Sequence, residues 1–374
     1  MELTAPRVLG TEAIRTPALV IDLDAIDDNL AATLRLLGGD PSRWRPHLKT
    51  AKLELTMRRI RERGVEQAKT STPLELETAC QAGFKDVLLS YPVTGPQLAA
   101  VRRIAAAFPA TTISALVEDP GMIAAWRGSP VALFIDLTPG MDRTGMRLDA
   151  GPVIALAGAI QAAGLRLAGL HFYDGHAFGF EAHEAERRVH QGYDRLLALV
   201  EQLERAGIAV PEIITAGTPA FPHAISYRGF ERRGTIHRVS PGTVVYNDRH
   251  SLKQLPDHAG YRPAALVLST VVSHPGPARF CADAGHKTVS ADAGVPTCEV
   301  LGHPDFAPRQ PSEEHLPVDV PAGFPLPARG ETLWLLPSHV CPTVNNFDRA
   351  VIVAGGAIQG SAPVTARGRH APID

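Results

Sequence analysis

Short apolar segments alternate with longer helical segments over about the first 240 residues of the chain. The predicted strands include 86–90, 131–137 and 165–172, and helices such as 96–107 and 151–163 lie between strands. Strands that are apolar throughout and joined through helices pair in parallel, which predicts an α/β fold. The number of strands approaches eight, so a (β/α)8 TIM-type barrel is favoured over an open sheet. No Gly-x-Gly-x-x-Gly turn follows an early strand, which argues against a dinucleotide-binding fold.

The composition of the chain changes near Pro256. Residues 263–300 and 330–354 are rich in valine and threonine and show almost no helical periodicity, which predicts a C-terminal β-domain. The proline-rich segment from Pro304 to Arg329 is predicted mostly as loop. The sequence therefore predicts two domains, a barrel over residues 1–255 and a β-rich domain over residues 256–374.

Charge and cysteine content exclude several classes of protein. The formal net charge is −2, so nothing indicates a surface for nucleic acid or anionic lipid. No apolar run is long enough to span a bilayer, and the first residues do not resemble a signal peptide. The four cysteines are too few and too scattered for a disulfide framework. We therefore expect a cytoplasmic enzyme that binds neither nucleic acid nor membrane.

The segment Arg45-Pro46-His47-Leu48-Lys49-Thr50-Ala51-Lys52 contains the strongest candidate for chemistry. Residues Trp44 to Leu48 are predicted as a strand, and a lysine at the C-terminal end of a barrel strand points into the mouth where such folds bind ligands. There a partly desolvated amine can lose its proton and form a Schiff base with an aldehyde cofactor. On spacing alone, a solvated surface lysine is the more common outcome.

The segment Pro46-His47-Leu48-Lys49-Thr50-x-Lys52 resembles the pyridoxal-phosphate segment of the metal-activated D-threonine aldolase and D-serine dehydratase family, whose fold is that of alanine racemase. The resemblance implies that Lys49 carries pyridoxal 5'-phosphate, that Lys52 is a neighbour, and that His47 lies in the cofactor site. It also implies a barrel followed by a β-domain, in which the first strand can join the β-domain, and a homodimer.

Further cofactor residues follow other predicted strands. Gly140-Met141-Asp142-Arg143 resembles the Gly-Met-Asn-Arg turn of alanine racemases, which implies that Arg143 lies beside the cofactor ring. The loops after the last barrel strands commonly hold phosphate through backbone N–H groups, and two Gly-Thr pairs lie in these loops. The residues concerned are Gly217 and Thr218, followed by Gly242 and Thr243. The resemblance adds Tyr246, three residues past Thr243, and Tyr173.

A metal pair is predicted at His339 and Cys341. Residues i and i+2 of a strand face the same side, so an imidazole and a thiolate just beyond the predicted strand Thr332–Leu336 can converge on one ion. A lone His-x-Cys is a weak motif by itself. It resembles the His-x-Cys metal pair of D-serine dehydratases, whereas typical D-threonine aldolases have His-x-Asp. A thiolate favours Zn²⁺ over Mn²⁺ or Mg²⁺.

The remaining motifs leave the reaction open. Tyr173-Asp174-Gly175 and Pro342-Thr343-Val344-Asn345 resemble the aldolase branch, whereas Cys341 resembles the dehydratase branch. The catalytic histidine that typical aldolases have after the tyrosine turn is replaced here, and His176 is the preferred substitute over His183. We therefore expect a D-threonine aldolase-like lyase that cleaves D-β-hydroxy amino acids to glycine and an aldehyde. The alternatives are D-serine dehydratase-type elimination to a keto acid and ammonia, an amino-acid racemase, and a non-enzymatic pyridoxal-phosphate-binding protein.

Overall fold

A computed structural model of the protein describes residues 4–175, 180–231 and 234–372. The chain divides into two compact units. The parallel unit contains Leu34–Lys49, Met57–Gly242 and Arg369–Asp374, and the mixed unit contains Met1–Thr33, Thr50–Thr56 and Thr243–Gly368. None of the helices in these described ranges is long and apolar enough to cross a bilayer.

The helices and strands follow the predicted alternation over the first two thirds of the chain. The helices are α1 (Leu23–Leu36), α2 (Glu54–Glu62), α3 (Pro73–Gln81), α4 (Gly95–Ala107), α5 (Ala150–Ala162), α6 (Ala182–Arg205), α7 (Phe221–Ser226), α8 (Arg249–Leu252) and α9 (Val340–Asn345). The strands are β1 (Ala18–Asp22), β2 (Gln67–Thr70), β3 (Asp86–Leu89), β4 (Thr112–Val117), β5 (Ala132–Leu137), β6 (Leu167–Phe172), β7 (Glu212–Thr215), β8 (Ile236–Val239), β9 (Ala265–Gly276), β10 (Arg279–Ala282), β11 (Cys298–Val300), β12 (Ala307–Pro308), β13 (Leu316–Asp319), β14 (Thr332–Pro337), β15 (Arg349–Ala354) and β16 (Ala357–Pro363).

The parallel unit is built on a curled sheet in which β2 to β8 pair in parallel and in sequence order. Residues 44–48 hydrogen bond with both edge strands of this sheet. The Arg45 N–H donates to the Val239 carbonyl of β8 (2.9 Å), and the Leu48 N–H donates to the Lys69 carbonyl of β2 (2.7 Å). The Lys69 N–H returns a bond to the Pro46 carbonyl (2.9 Å). The segment that precedes Lys49 therefore links the two edges of the sheet.

A buried cluster of charged side chains anchors this segment to strands β3 and β7. The Arg45 side chain is fully buried, and its Nε and Nη2 donate to the two carboxylate oxygens of Glu212 on β7 (2.8 and 2.9 Å). Its Nη1 and Nη2 also donate to Asp86 at the start of β3 (3.1 and 2.5 Å). Arg238 on β8 makes a second ion pair with Glu212. A buried guanidinium requires such complete pairing, because an unpaired charge in the interior is costly.

The mixed unit contains a separate sheet with the order β12-β13-β10-β9-β1-β15-β16, to which β14 and β11 are added through β9. Strand β1 pairs antiparallel with β9 and parallel with β15. One apolar core of this sheet includes Val271, Phe280, Val318 and Leu335. The first strand of the chain is therefore a member of the mixed sheet, which the family resemblance allowed.

The predicted α/β class is confirmed as a curled parallel sheet with a separate mixed sheet. Most predicted elements before residue 216 are present, with ends that differ by one or two residues. Residues 44–48 make isolated bridges and not a regular strand, and the helix predicted at 119–126 is a 3-10 helix, Pro120–Trp126. Strands β12 and β13 lie within the segment predicted mostly as loop. The domain boundary at residue 256 stays a prediction.

We predict that Arg45→Met lowers the free energy of unfolding by about 3–5 kcal/mol, because it leaves the buried Glu212 carboxylate without its main partner. Chemical denaturation followed by circular dichroism measures this change. Arg205→Met is the matched control, since Arg205 makes an ion pair with Glu201 on the exposed side of α6, and we expect a much smaller loss there. Equal losses in the two variants would show that the buried cluster does not hold the segment.

Candidate active site

Lys49 lies at a cavity of the parallel unit with a volume of about 350 Å³. The preceding residues bring it there through their hydrogen bonds with the two edge strands. His47, Lys69, Arg143, His171 and Tyr173 also line this cavity. Four of the predicted cofactor residues, His47, Lys49, Arg143 and Tyr173, are thus brought together from three distant parts of the chain.

Three cationic side chains surround the ring of Tyr173. The centroid of the ring is 5.1 Å from Arg143 Cζ, 5.3 Å from Lys69 Nζ and 5.9 Å from Lys49 Nζ. The π face of an aromatic ring attracts cations, which partly offsets the repulsion among them. Among the described residues that line the cavity there is no carboxylate. Lys49 and Arg143 therefore give the wall of the cavity positive charge, which suits an anionic ligand.

Two glycines in the predicted phosphate turns lie where a side chain cannot fit. A Cβ atom at Gly242 would lie 2.3 Å from the His47 carbonyl oxygen. At Gly217 it would lie 2.8 Å from the Tyr173 ring. Both glycines are therefore required for close packing against the residues around Lys49. Thr218 follows in the same turn and is buried.

Ser240 lies directly after β8, two residues before Gly242. Its hydroxyl is buried and has no hydrogen-bond partner among the residues that the structure describes. Buried hydroxyl groups are nearly always hydrogen bonded in a complete structure. A primary amine, a guanidinium, two glycine turns and a free hydroxyl together fit pyridoxal phosphate, which is an aldehyde with a phosphate and a hydroxylated ring.

Lys69, His171 and Asp136 form a buried network that the sequence analysis missed. Lys69 Nζ lies 3.3 Å from His171 Nε2, and His171 Nδ1 lies 2.7 Å from Asp136 Oδ1. Asp136 and His171 are register partners on β5 and β6, which places their side chains next to each other. Burial is the main cause that lowers the pKa of Lys69 to about 7, and the positive charge of Lys49 acts in the same direction. Burial also lowers the pKa of His171.

In the mixed unit, His339 and Cys341 lie in a different element from the one predicted. Strand β14 ends at Pro337, His339 is the N-cap of α9, and Cys341 lies in the first turn of that helix. The prediction that both side chains lie on one strand face is therefore wrong. The chain leaves the sheet because the Val340 N–H donates to Asp248 Oδ2 (3.0 Å) and the Thr343 hydroxyl donates to the His339 carbonyl (2.8 Å).

The two side chains nevertheless make contact. Burial alone would lower the pKa of His339, but hydrogen bonds with Cys341 and Asp292 raise it to about 9. His339 Nδ1 lies 2.7 Å from Asp292 Oδ2, and Cys341 Sγ lies 3.0 Å from the hydroxyl of Thr50. Within the described ranges no cluster of three or more His, Cys, Asp or Glu side chains has the geometry to hold a metal. Two protein ligands alone would leave the other positions of an ion to water or substrate, and the metal pair stays a prediction.

Two family descriptions match the chain. Residues 21–250 match the alanine racemase N-terminal domain, and residues 264–353 match a serine dehydratase domain. The chain belongs to the alanine racemase N-terminal domain family.

Curated relatives cover nearly the whole chain. It is 30% identical to a D-threonine aldolase of Arthrobacter sp. (95% of this chain, 93% of the relative). It is 28% identical to a 3-hydroxy-D-aspartate aldolase of Paracoccus denitrificans (95% and 93%) and 26% identical to a D-threo-3-hydroxyaspartate dehydratase of Delftia sp. (92% and 96%). The crystal structure of D-threonine aldolase from Filomicrobium marinum superposes with a TM-score of 0.87 at 27% identity (98% and 99%).

The predicted resemblance to the D-threonine aldolase and D-serine dehydratase group of alanine-racemase-like enzymes is therefore confirmed. Its members are pyridoxal-phosphate-dependent lyases, and the chain is an enzyme of this class. A non-enzymatic cofactor carrier no longer fits.

The predicted site residues divide between the two units. The parallel unit contains His47, Lys49, Arg143, Tyr173, Gly217, Thr218 and Gly242. The mixed unit contains Thr243, Tyr246, His339 and Cys341. There the Tyr246 hydroxyl is 2.7 Å from that of Thr56, and Thr243 Oγ1 is 3.8 Å from Cys341 Sγ. His176, the predicted catalytic histidine, lies outside the described residues.

We predict that Gly242→Ala weakens retention of the cofactor, because the new methyl group would displace the backbone of His47 and with it Lys49. Dialysis followed by the visible absorbance of the bound cofactor measures retention. Gly158→Ala is the control, since a Cβ atom at this position in α5 meets nothing within 4 Å and alanine favours a helix. Unchanged retention in Gly242→Ala would contradict the role given to this turn.

Proposed function

We propose that the protein is a pyridoxal-phosphate- and metal-dependent lyase that cleaves D-configured β-hydroxy amino acids to glycine and an aldehyde. The observation that carries this proposal is the position of Lys49 in a cavity that Arg143 and Tyr173 also line, with no carboxylate among the lining residues that the structure describes. The aldolase relatives act, by their names, on D-threonine and on 3-hydroxy-D-aspartate. Both substrates are D-amino acids with a hydroxyl group on Cβ.

Each predicted residue has a part in holding the cofactor. Lys49 holds it covalently through its amine, and Arg143 binds the negatively charged ring oxygen. The turns at Gly217-Thr218 and Gly242-Thr243 bind the phosphate through N–H and hydroxyl groups. His47, Tyr173 and Tyr246 support the ring and its surroundings. Pyridoxal phosphate, when bound, supplies an electron sink for the electron pair that is released at Cα of the substrate.

His339 and Cys341 are the proposed metal ligands. The Asp292 carboxylate accepts a hydrogen bond from His339 Nδ1–H, which leaves Nε2 for the metal, a common arrangement behind metal-binding histidines. A thiolate ligand favours Zn²⁺, with Mn²⁺ and Mg²⁺ as the harder alternatives. A divalent ion at this pair supplies a Lewis acid for the substrate hydroxyl group. His176 stays the proposed catalytic histidine.

Three features complete the proposal. Residues 44–48 serve as the eighth strand of a closed barrel, supported by their hydrogen bonds with β8 and β2. The family resemblance supports a homodimer. The four cysteines are free in the structure, which is typical of a reducing compartment and supports the cytoplasm as the location.

Elimination to a keto acid and ammonia is the second candidate. It is favoured by Cys341 in the metal pair and by the dehydratase of Delftia sp. among the relatives. In that reaction a base would remove the proton from Cα, and an ion held by His339 and Cys341 would supply a Lewis acid for the leaving hydroxide. Amino-acid racemisation is the third candidate and requires no metal.

We predict that Lys49→Ala loses the visible absorbance of the lysine-bound cofactor, since Lys49 directly follows the 44–48 segment and lines the cavity. Lys52→Ala is the matched control. The Lys52 side chain is buried and its amine donates to the Ala366 carbonyl (3.2 Å) in the mixed unit, so the absorbance should remain. If Lys52→Ala loses the absorbance and Lys49→Ala keeps it, the assignment of the cofactor lysine is wrong.

Product analysis with D-threonine and D-serine, with and without a chelator, tests the reaction. Glycine and acetaldehyde from D-threonine support the aldolase, and a keto acid with ammonia supports the dehydratase. We expect chelation and Cys341→Ala to abolish turnover while the cofactor absorbance stays, because the two groups use different residues. Cys341→Asp should restore turnover with Mn²⁺, which prefers oxygen ligands.

Two results would contradict a role for the metal in turnover. Full turnover in Cys341→Ala, or in extensively chelated wild-type protein, would remove the metal from the mechanism. Interconversion of amino-acid enantiomers without cleavage would then identify a racemase.

A further inference from the structure

Lys69 is a second amine in the cavity that holds Lys49. It extends from β2, and the centroid of the Tyr173 ring is within 6 Å of both amines. Only 1% of its surface is exposed. A lysine is almost never buried in this way unless it is paired or has a function. The family resemblance assigns Lys49 to the cofactor and leaves Lys69 without a role.

The network behind Lys69 determines how its amine is oriented. The Asp136 carboxylate accepts the hydrogen of His171 Nδ1, which assigns the neutral ring the tautomer with a lone pair on Nε2. This lone pair can accept one hydrogen from Lys69 Nζ, 3.3 Å away. A neutral lysine amine held by one such bond keeps its own lone pair available for a proton from a ligand in the cavity.

The charges around Lys69 place its titration near neutrality. Lys49 and Arg143 disfavour a third positive charge, Asp136 and Asp174 favour it, and burial disfavours it most strongly. His171 is the remaining titratable group in contact, and burial keeps it neutral. The net effect is the pKa of about 7 given above, which lets the amine both accept and donate a proton at physiological pH.

We propose that Lys69, positioned by His171 and Asp136, is the acid–base residue that takes the proton from the β-hydroxyl group of the substrate. This inference rests on the proposed lyase function. The neutral amine accepts the hydroxyl proton, the oxygen forms a C=O bond at Cβ, and the Cα–Cβ bond breaks with its electron pair on Cα. The Lys69 ammonium then returns the proton to Cα. The products are glycine and an aldehyde, and Lys69 is neutral again.

Removal and replacement of the amine test this role in the cofactor-loaded enzyme. Lys69→Ala should keep the visible absorbance of the cofactor on Lys49 but lose kcat on D-threonine by about 10²–10⁴-fold, with little change in KM. Added methylamine or ethylamine should restore turnover in proportion to its neutral fraction, because a small amine can occupy the space that the side chain leaves. Lys52→Ala is the matched control, and amines should not change its rate.

A titration that does not depend on turnover tests the same claim. Acylation of Lys69 at a series of pH values, followed by mass spectrometry of the holoenzyme, gives its pKa directly. We expect a midpoint well below that of free lysine in the wild type, because burial disfavours the ammonium form whether or not Lys49 is bound to the cofactor. Asp136→Asn should move this midpoint to lower pH, because it removes a negative charge that favours the ammonium form. The acidic limb of the kcat profile should move in the same direction.

The outcomes separate this inference from the proposed function. If the wild-type protein turns over no D-β-hydroxy amino acid, the proposed function is wrong. If the titration midpoint of Lys69 then also lies near that of free lysine, the acid–base role is rejected as well. Wild-type turnover that survives in Lys69→Ala overturns the role of Lys69 alone. If Lys69→Ala loses the cofactor, the same measurements are made on Lys69→Met, whose side chain fills about the same volume. Loss of the cofactor in both variants makes Lys69 a structural residue and overturns the proposal.

Discussion

The ion pair between Arg45 and Glu212 is the interaction on which the parallel unit depends most. Parallel strands expose unpaired N–H and C=O groups at both edges of their sheet, and here residues 44–48 satisfy groups on β2 and β8 together. This segment is too short and irregular to hold that place through backbone bonds alone. The buried guanidinium fastens it to β7 and β3 with charge-assisted hydrogen bonds in a fixed fork geometry. Lys49 lies four residues further along, so the position of the cofactor amine follows from the same pairing.

Strand register explains why the cavity collects polar groups. Residues paired across neighbouring parallel strands project to the same side of the sheet, and Asp136 on β5 is paired with His171 on β6. The same face also carries apolar residues, since Leu88 pairs with Lys69, Ile214 pairs with His171, and Phe134 precedes Asp136 by two residues. Towards the C-terminal ends of the strands it carries Lys69, Asp136 and His171. This arrangement is the one that barrel-like α/β folds use for ligands, since the loops that follow the strands can then complete the site.

Much of this could be predicted from the sequence, for physical reasons that can be named. Helical and strand periodicity identified most elements of the parallel unit, and Thr72-Pro73-x-Glu75 marked the start of α3, where the Thr72 side chain accepts the Glu75 N–H. Lys49 and Arg143 were found because they follow strands and lie in family motifs. Lys69 was missed because it is one of several polar residues in a four-residue strand, and Asp136 because it is a single polar residue in an apolar strand, and neither has a motif around it. His339 and Cys341 were placed on a strand because periodicity does not show that Asp248, 92 residues away from Val340, caps the turn that starts α9.

The missed residues are the ones whose local environment is least favourable to folding. An amine buried beside Lys49 and Arg143 raises the energy of its charged form, and Asp136 Oδ2 has no hydrogen-bond partner among the described residues. Neither feature stabilises the fold, since an apolar pair of the same size would avoid both costs. A prediction from sequence assumes that local conformational preference, burial and pairing all favour the same structure. At catalytic sites these three often conflict. The burial of Lys69 and the burial of Arg45 therefore indicate different roles. Arg45 is buried with every charge matched, as a structural residue requires, whereas Lys69 is buried with its proton held weakly, as proton transfer requires.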